Sequence, residues 1–204
     1  MRLEDELDFR IDPRTEALIR THSHLAARPA GERVLGELVR LGPAGYERLA
    51  QLGLLVPLGG SVDRRLRAHD SPEFRLVAAF GRNLGRLPVS NEVERYARTL
   101  LRARPPAGDD ARSIHRFRRE TEPWALEALA FVGAPELREA VLEARACEPD
   151  EPLVRGDELG LPPGPEIGRM LALIEEERAA GTIATREEAM ELARRHAGAV
   201  RQDG

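Results

Sequence analysis

Prolines and glycines divide the whole chain at intervals of about one short helix, and this spacing constrains the fold more than any other feature. Asp12-Pro13, Ser71-Pro72 and Ser90-Asn91 each place a capping residue before apolar residues that recur every three or four positions, as on one face of a helix. No stretch alternates apolar and polar residues with the β-branched enrichment of a strand. The sequence therefore predicts an all-α fold, an irregular array of about ten short helices.

The same signals place individual helices along the chain. They predict helices from Pro13 to near Ala27, Gly31 to Leu41, Pro43 to Leu52 and Ser113 to Arg119. Gly53 is predicted to end the third of these as a C′ glycine. Thr185-Arg186-Glu187-Glu188 has the T-x-x-E form of a capping box and predicts the start of the last helix.

Composition excludes several classes of protein. The hydrophobic fraction of 42% is enough for a core, and no run of 18 apolar residues predicts a membrane span. The acidic segment from Met1 to Glu6 lacks the apolar region of a secretory signal. The single cysteine, Cys147, excludes an intramolecular disulfide and a multi-cysteine zinc site. We therefore expect a cytoplasmic protein.

The charge is distributed unevenly. All 31 basic residues are arginine, so lysine chemistry such as a Schiff base or a P-loop is excluded. Residues 64–119 hold 14 arginines and 6 acids, whereas residues 1–63 hold 8 and 10, and residues 120–204 hold 9 and 19. A basic middle between acidic flanks indicates either a surface that faces phosphates or a solvated helical face that is rich in arginine.

Two segments in particular suggest chemistry. In the basic helix Ser113–Arg119, Ile114 and Phe117 are spaced to face inward, which leaves Arg116 and Arg119 on an outer face that suits phosphate contacts. The Pro- and Gly-rich segment Leu161–Gly168 points a helix N-terminus out of a rigid turn. That N-terminus suits an anion, and it equally suits a plain helix start that packs its apolar residues.

Other catalytic patterns are weak or missing. The sequence contains no G-x-S-x-G, G-x-G-x-x-G or P-loop motif. His22 and His24 are two residues apart, so on a helix they face different sides and cannot share one metal. A hydrolase that uses either histidine is therefore a remote alternative. Acidic neighbours argue against a nucleophilic role for Cys147.

The two ends of the chain resemble a known family. Residues 154–171 read V-R-G-D-E-L-G-L-P-P-G-P-E-I-G-R-M-L and resemble the tail of bacterial tRNA nucleotidyltransferases, the CCA-adding enzymes and their poly(A) polymerase relatives. That tail typically reads G-x-D-L and then G-L-x-P-G-P-x-I-G-x-x-L, and residues 181–189 fit the family's next segment. Residues 2–13 are similar to the family's R-F-x-x-x-L-G-F-x-I-D-P, and residues 52–55 fit its L-G-L-L. Residues 60–150 diverge.

The resemblance also marks a neck motif and two missing motifs. Glu32-Arg33-Val34 and Glu37-Leu38 are similar to the family's E-R-I-x-x-E-L, which assigns a structural role to Glu32, Arg33 and Glu37. The catalytic G-S-x-x-x-D-x-D is not found in the sequence. Glu4-Asp5 begins like the nucleotide-selecting E-D-x-x-R, but Asp8 stands where arginine is required. The resemblance thus implies neck-like helices at 1–58, a helical body at 59–146 and a tail helical pair at 147–204, without a catalytic head.

The function that the resemblance implies depends on which of these parts are present. We expect no nucleotide addition by this chain alone, with Mg²⁺ and CTP or ATP bound by the head, and we assign no catalytic or metal-binding residue. The implied partner is tRNA, held at the acceptor stem and elbow through phosphates and shape. The candidate RNA-binding residues are Arg64, Arg65, Arg67, Arg116, Arg118, Arg119, Arg155, Gly164, Pro165 and Arg169.

A second hypothesis makes the chain a headless paralogue that acts as a protein-interaction module. Such a module docks a separate catalytic head or associates with itself. An exposed apolar face on the first helices would favour this hypothesis over RNA binding alone.

Overall fold

A computed structural model describes residues 9–29, 31–149 and 151–200, with the side chains of 197–200 left aside. These residues form ten α-helices and no β-strand, which confirms the all-α prediction. The helices are α1 Pro13–Thr21, α2 Gly31–Leu38, α3 Pro43–Gln51, α4 Pro72–Phe80, α5 Asn91–Arg102, α6 Ala111–Thr121, α7 Ala125–Val132, α8 Arg138–Ala146, α9 Pro165–Ala179 and α10 Arg186–Val200. Short 3₁₀ helices span Ser23–Ala27, Arg64–Arg67, Gly81–Arg86, Pro135–Leu137 and Gly156–Leu159. No helix in the described ranges is long and apolar enough to cross a membrane.

The predicted helix starts are confirmed by their hydrogen bonds. Asp12, Ser71 and Ser90 each accept a backbone N–H of the following first turn, at 3.0 to 3.3 Å. At the start of α10, the Glu188 N–H donates to the Thr185 hydroxyl at 3.3 Å, and the Thr185 N–H donates to the Glu188 carboxylate at 3.0 Å. These caps pair amide groups that the helix itself leaves unbonded, so each helix starts where its capping residue stands.

The end of α3 is also as predicted. Gly53 has a φ of 74°, in the left-handed region that favours glycine. The Gly53 N–H donates to the Ala50 carbonyl and the Leu54 N–H donates to the Leu49 carbonyl, both at 2.9 Å. This pair of bonds is a Schellman motif, and it turns the chain out of the helix.

Two predicted helix ends were wrong. The helix predicted to run to Ala27 ends at Thr21 and continues as a 3₁₀ segment. The helix predicted to reach Leu41 ends at Leu38, where the Leu41 N–H bonds the Leu38 carbonyl three residues back, at 3.1 Å. The apolar spacing of each helix continues into the segment that follows it. An α-helical turn and a tighter 3₁₀ turn both fit this spacing, so the spacing alone does not show where the α-helix ends.

The described residues group into two compact units. Unit 1 comprises the described residues up to Arg104 together with Pro123–Pro135, and unit 2 comprises Pro105–Glu122 together with the described residues from Glu136 onward. The predicted segments 1–58, 59–146 and 147–204 follow proline and glycine breaks rather than contacts. That three-part division stays a prediction.

The core of unit 1 contains two pairs of aromatic rings in contact and a fully buried tyrosine. Phe74 packs edge-to-face against Phe131, with 5.6 Å between the ring centres. Tyr96 packs in the same way against Trp124, with 5.5 Å between the ring centres. Tyr46 is fully buried, and its hydroxyl donates to the Leu38 carbonyl at 3.2 Å. The predicted inward faces of α4 and α5 therefore do form the core, and α7 completes it.

In unit 2, α6 packs against α8 and α9, and α9 packs against α10. Ile114 and Phe117 are buried, as their spacing in the basic helix predicted. Val154, in the irregular segment before α9, is also buried with Met170 and Ile174. This segment therefore contributes to the core of the unit rather than only connecting helices.

Candidate nucleic-acid interface

The predicted arginines of unit 1 lie on the 3₁₀ helix Arg64–Arg67. Arg65 donates from Nε and Nη2 to the Asp63 carboxylate at 2.8 and 2.6 Å, and its guanidinium lies 4.3 Å from the centre of the Phe131 ring. The hydrogen bond from Arg65 lowers the pKa of Asp63. Arg67 donates to Glu47 at 2.8 Å. Arg64 is exposed and has no side-chain hydrogen bond among the described residues.

The basic helix α6 is tied to α9 by two arginine pairs. Arg112 donates to Glu177 at 3.1 and 2.8 Å, and Arg116 donates to Glu176 at 2.8 and 2.5 Å. The hydrogen bonds from Arg112 and from the Thr182 hydroxyl lower the pKa of Glu177 to about 2. The predicted phosphate contact Arg116 is thus engaged with a carboxylate, so its charge is largely offset within the protein.

Arg118 does not lie on the outer face at all. Its side chain is buried, and it donates to Glu122 at 3.0 Å, to the Ala144 carbonyl at 2.9 Å and to Glu148. Arg145 also donates to Glu122, at 2.9 and 2.7 Å. Arg118 therefore fastens α6 to α8, and its prediction as a phosphate contact is corrected. Ile114 lies four residues before Arg118 and Thr121 three residues after it, so Arg118 shares the buried face of α6.

Arg119, the next residue along α6, is placed differently. It is exposed, and it has no hydrogen bond or ion pair among the described residues. It lines a surface recess of about 450 Å³ together with residues along one face of α9, which are Pro165, Gly168 and Arg169 near its start and Ala172, Leu173 and Glu176 further along. The fold thus brings together two predicted features that are about 50 residues apart in the sequence.

The remaining predicted tail residues differ in their surroundings. Arg169 donates to Glu166 at 2.5 Å, an exposed pair within one helical turn that water screens. Gly164 caps α9 in an extended conformation, which any residue adopts. Arg155 is exposed at the start of the 3₁₀ helix Gly156–Leu159 and does not line the recess.

The predicted neck residues lie beside an apolar groove. Glu32, Arg33 and Glu37 are exposed on α2, and the last two line a groove of about 1100 Å³. Phe9, at its edge, is 62% exposed. The apolar side chains that line the groove are Phe9, Ile11, Ala26, Pro29, Val34, Leu38, Leu41, Leu49, Leu54 and Leu58. The similar stretch at residues 2–8 lies outside the described residues, as do Glu4, Asp5 and Asp8.

Sequence reasoning missed three arginines on α5. Arg95, Arg98 and Arg102 are exposed, and none forms a hydrogen bond or ion pair with another described residue. Their spacing of three and four residues was a readable signal. The charge count marked the region as basic, but it did not show which of its arginines have acidic partners.

Histidine and acidic side chains do not assemble into a metal centre within the described ranges, where no group of three or more metal-ligating side chains occurs. The rings of His22 and His24 are 6.3 Å apart and tilted by 51°. Cys147 is exposed and has a free thiol.

Comparison with known proteins adds a distant relationship. The chain is 27% identical, over 208 residues, to the CCA-adding enzymes of Lactococcus lactis subsp. cremoris strains MG1363 and SK11. Each alignment covers 86% of this chain and 52% of the relative, so the chain spans about half the length of these curated relatives. No family model and no solved structure matches it. The similarity supports a distant relationship to the tRNA nucleotidyltransferases.

Proposed function

We propose that this chain is the C-terminal, helical, RNA-binding part of a tRNA nucleotidyltransferase-like protein, and that it holds the acceptor stem and elbow of tRNA through their phosphates. The recess formed by Arg119 and the start of α9 carries this proposal. It joins the basic helix to the segment that resembles the family's tail. The similarity to CCA-adding enzymes supports tRNA as the partner, and a tRNA-binding role fits a cytoplasmic location.

The recess combines groups that suit a phosphate with one carboxylate, Glu176, whose charge is offset by its pair with Arg116. A guanidinium that has no carboxylate partner presents its donors in the planar fork that fits phosphate oxygens. The N-terminus of α9 adds the partial positive charge of a helix start. Residues 120–204, which include the tail, carry 19 acids against 9 arginines, so this part of the chain repels RNA elsewhere and its contact is local.

The same proposal assigns RNA holding, and not nucleotidyl transfer, to these residues. Two-metal transfer requires carboxylates that bind Mg²⁺ on both sides of the reacting phosphate. The family's G-S-x-x-x-D-x-D motif does not occur in the sequence. Mg²⁺ and CTP or ATP would therefore be bound by a catalytic head, and this chain would supply the grip on the RNA.

Binding of labelled tRNA that lacks its 3′ end tests the proposal. It is compared with an unstructured RNA of equal length, at roughly 50 and 200 mM salt. Preference for tRNA, with affinity that falls steeply with salt, supports the proposal. Replacing Arg119 and Arg169 by Ala should reduce the salt slope by about 2. The matched control replaces Arg14 and Arg138 by Ala, two exposed arginines whose side chains have no partner among the described residues. If the chain binds both RNAs equally, or binds neither RNA, tRNA recognition is contradicted.

The groove on the first helices favours a second function, docking of a protein partner. The groove has a volume of about 1100 Å³, and Phe9 is exposed at its edge. Its apolar side chains form one continuous surface, and such a surface often marks a site where a protein partner binds. A docking module would bury it against a catalytic head or a second copy. Light scattering across a range of protein concentrations separates these functions. A monomer at all concentrations that binds tRNA supports RNA binding, whereas a dimer that ignores tRNA supports docking.

A further inference from the structure

We infer that the row of arginines on α5, Arg95, Arg98 and Arg102, is a second phosphate-binding surface that follows one strand of an RNA helix. The inference rests on the proposed RNA-binding function only for the choice of RNA as the polyanion. Nothing in the resemblance or the comparisons assigns this surface.

The three arginines of the row lie on the solvent-exposed face of α5. At about 100° per residue, the three arginines lie within about 60° of one another around the helix axis. The buried residues Tyr96 and Leu100 lie on the opposite side and anchor the helix in the core of unit 1. The row is therefore held on a rigid helix rather than on a loop.

The charges of the row remain available. Most arginines on α6 and on the 3₁₀ helix Arg64–Arg67 pair with carboxylates, whereas no described carboxylate forms an ion pair with the row. Glu92 and Glu94 are exposed in the first turn, beside the positive end of the helix, which they complement. Arg102 complements the negative end, but the helix dipole does not account for Arg95 and Arg98.

The length of the row matches a run of phosphates. Seven residues of α-helix separate Arg95 from Arg102, which is about 10 Å along the axis. One strand of a DNA double helix presents a phosphate about every 3.4 Å of its axis, and the rise of an RNA duplex is of the same order. A row that lies along the duplex axis therefore spans about three phosphates. A membrane surface fits less well, because the apolar residues Tyr96, Ala97 and Leu100 are buried. Leu101 is exposed on α5, but one side chain is too little apolar surface to enter a bilayer.

The test measures binding of a plain RNA duplex, which carries phosphates but no tRNA shape. The variant is Arg95→Gln with Arg98→Gln and Arg102→Gln, and its control replaces the exposed arginines Arg14, Arg28 and Arg138 by Gln. The control removes equal charge from residues whose side chains have no partner in the described chain. Circular dichroism melting checks that both proteins remain folded. We expect the slope of log affinity against log salt to fall by 2 to 3 only in the α5 variant, which is about a hundredfold to a thousandfold weaker binding at 0.1 M salt.

The outcomes separate this inference from the proposed function. If the unmodified chain binds duplex and tRNA but the α5 variant keeps its affinity and slope, the inference is wrong and the proposed function stands. If duplex binding depends on the row while tRNA is not preferred, the inference stands and tRNA recognition fails. If the chain binds neither RNA, both are wrong. Flotation with anionic vesicles is a further arm, and binding to vesicles that needs the row, without RNA binding, assigns it to a lipid surface and overturns the RNA assignment.

Discussion

Two adjacent arginines on α6 should behave in opposite ways when each is replaced by Met. Arg118 is 7% exposed and donates to two carboxylates and the Ala144 carbonyl, whereas Arg119 is exposed without a described partner. Breaking a buried ion pair costs about 3 to 5 kcal/mol, but the partner side chains Glu122 and Glu148 are 31% and 60% exposed, so water rehydrates them in part. Methionine keeps most of the packing volume. We therefore expect Arg118→Met to lower the free energy of unfolding by about 2 kcal/mol.

Urea denaturation followed by far-ultraviolet circular dichroism measures this difference. Arg119→Met is the control for stability, and it should stay within about 0.5 kcal/mol of the unmodified chain. The affinity for RNA should change in the opposite way. Arg119→Met should weaken binding more than Arg118→Met does, because Arg119 faces the recess and Arg118 does not. The reasoning is refuted if Arg118→Met leaves stability unchanged, or if Arg119→Met destabilises the protein to the same extent.

Two further predictions concern α3 and the contact between α6 and α9. Gly53→Ala forces a side chain into the left-handed region and should lower the free energy of unfolding by about 1 kcal/mol, whereas Gly36→Ala, within α2 and with no atom near an added Cβ, should not lower it. Because the pKa of Glu177 falls from 4.5 to about 2 on folding, its carboxylate stabilises the fold above pH 4.5, and that stability is lost as the pH falls toward 2. In Arg112→Gln, NMR titration should show the Glu177 pKa returning toward 4.5, and an unchanged value would rule out Arg112 as its main cause.

The fold could be predicted from the sequence to the extent that it is local. A serine or aspartate cap bonds amides two or three residues away, and a glycine at a positive φ acts within one turn, so the starts at Pro13, Pro72 and Asn91 and the end at Gly53 were readable. The ends of α1 and α2 were not, because α-helical and 3₁₀ turns bury the same apolar spacing.

The candidate site was predicted only as a region. The sequence determined by itself that the chain is helical, that its middle is rich in arginine and that its tail resembles that of tRNA nucleotidyltransferases. Only the tertiary structure decided which arginines have partners. Some of the pairing acids are near in the chain, as Asp63 is to Arg65, but others are distant: Glu177 lies 65 residues from Arg112, and Glu47 lies 20 from Arg67. The positive charge of an arginine can be read from the sequence, but the group that it contacts cannot. Whether it binds a carboxylate, as Arg118 does, or faces solvent, as Arg98 does, depends on which helix the fold packs against it.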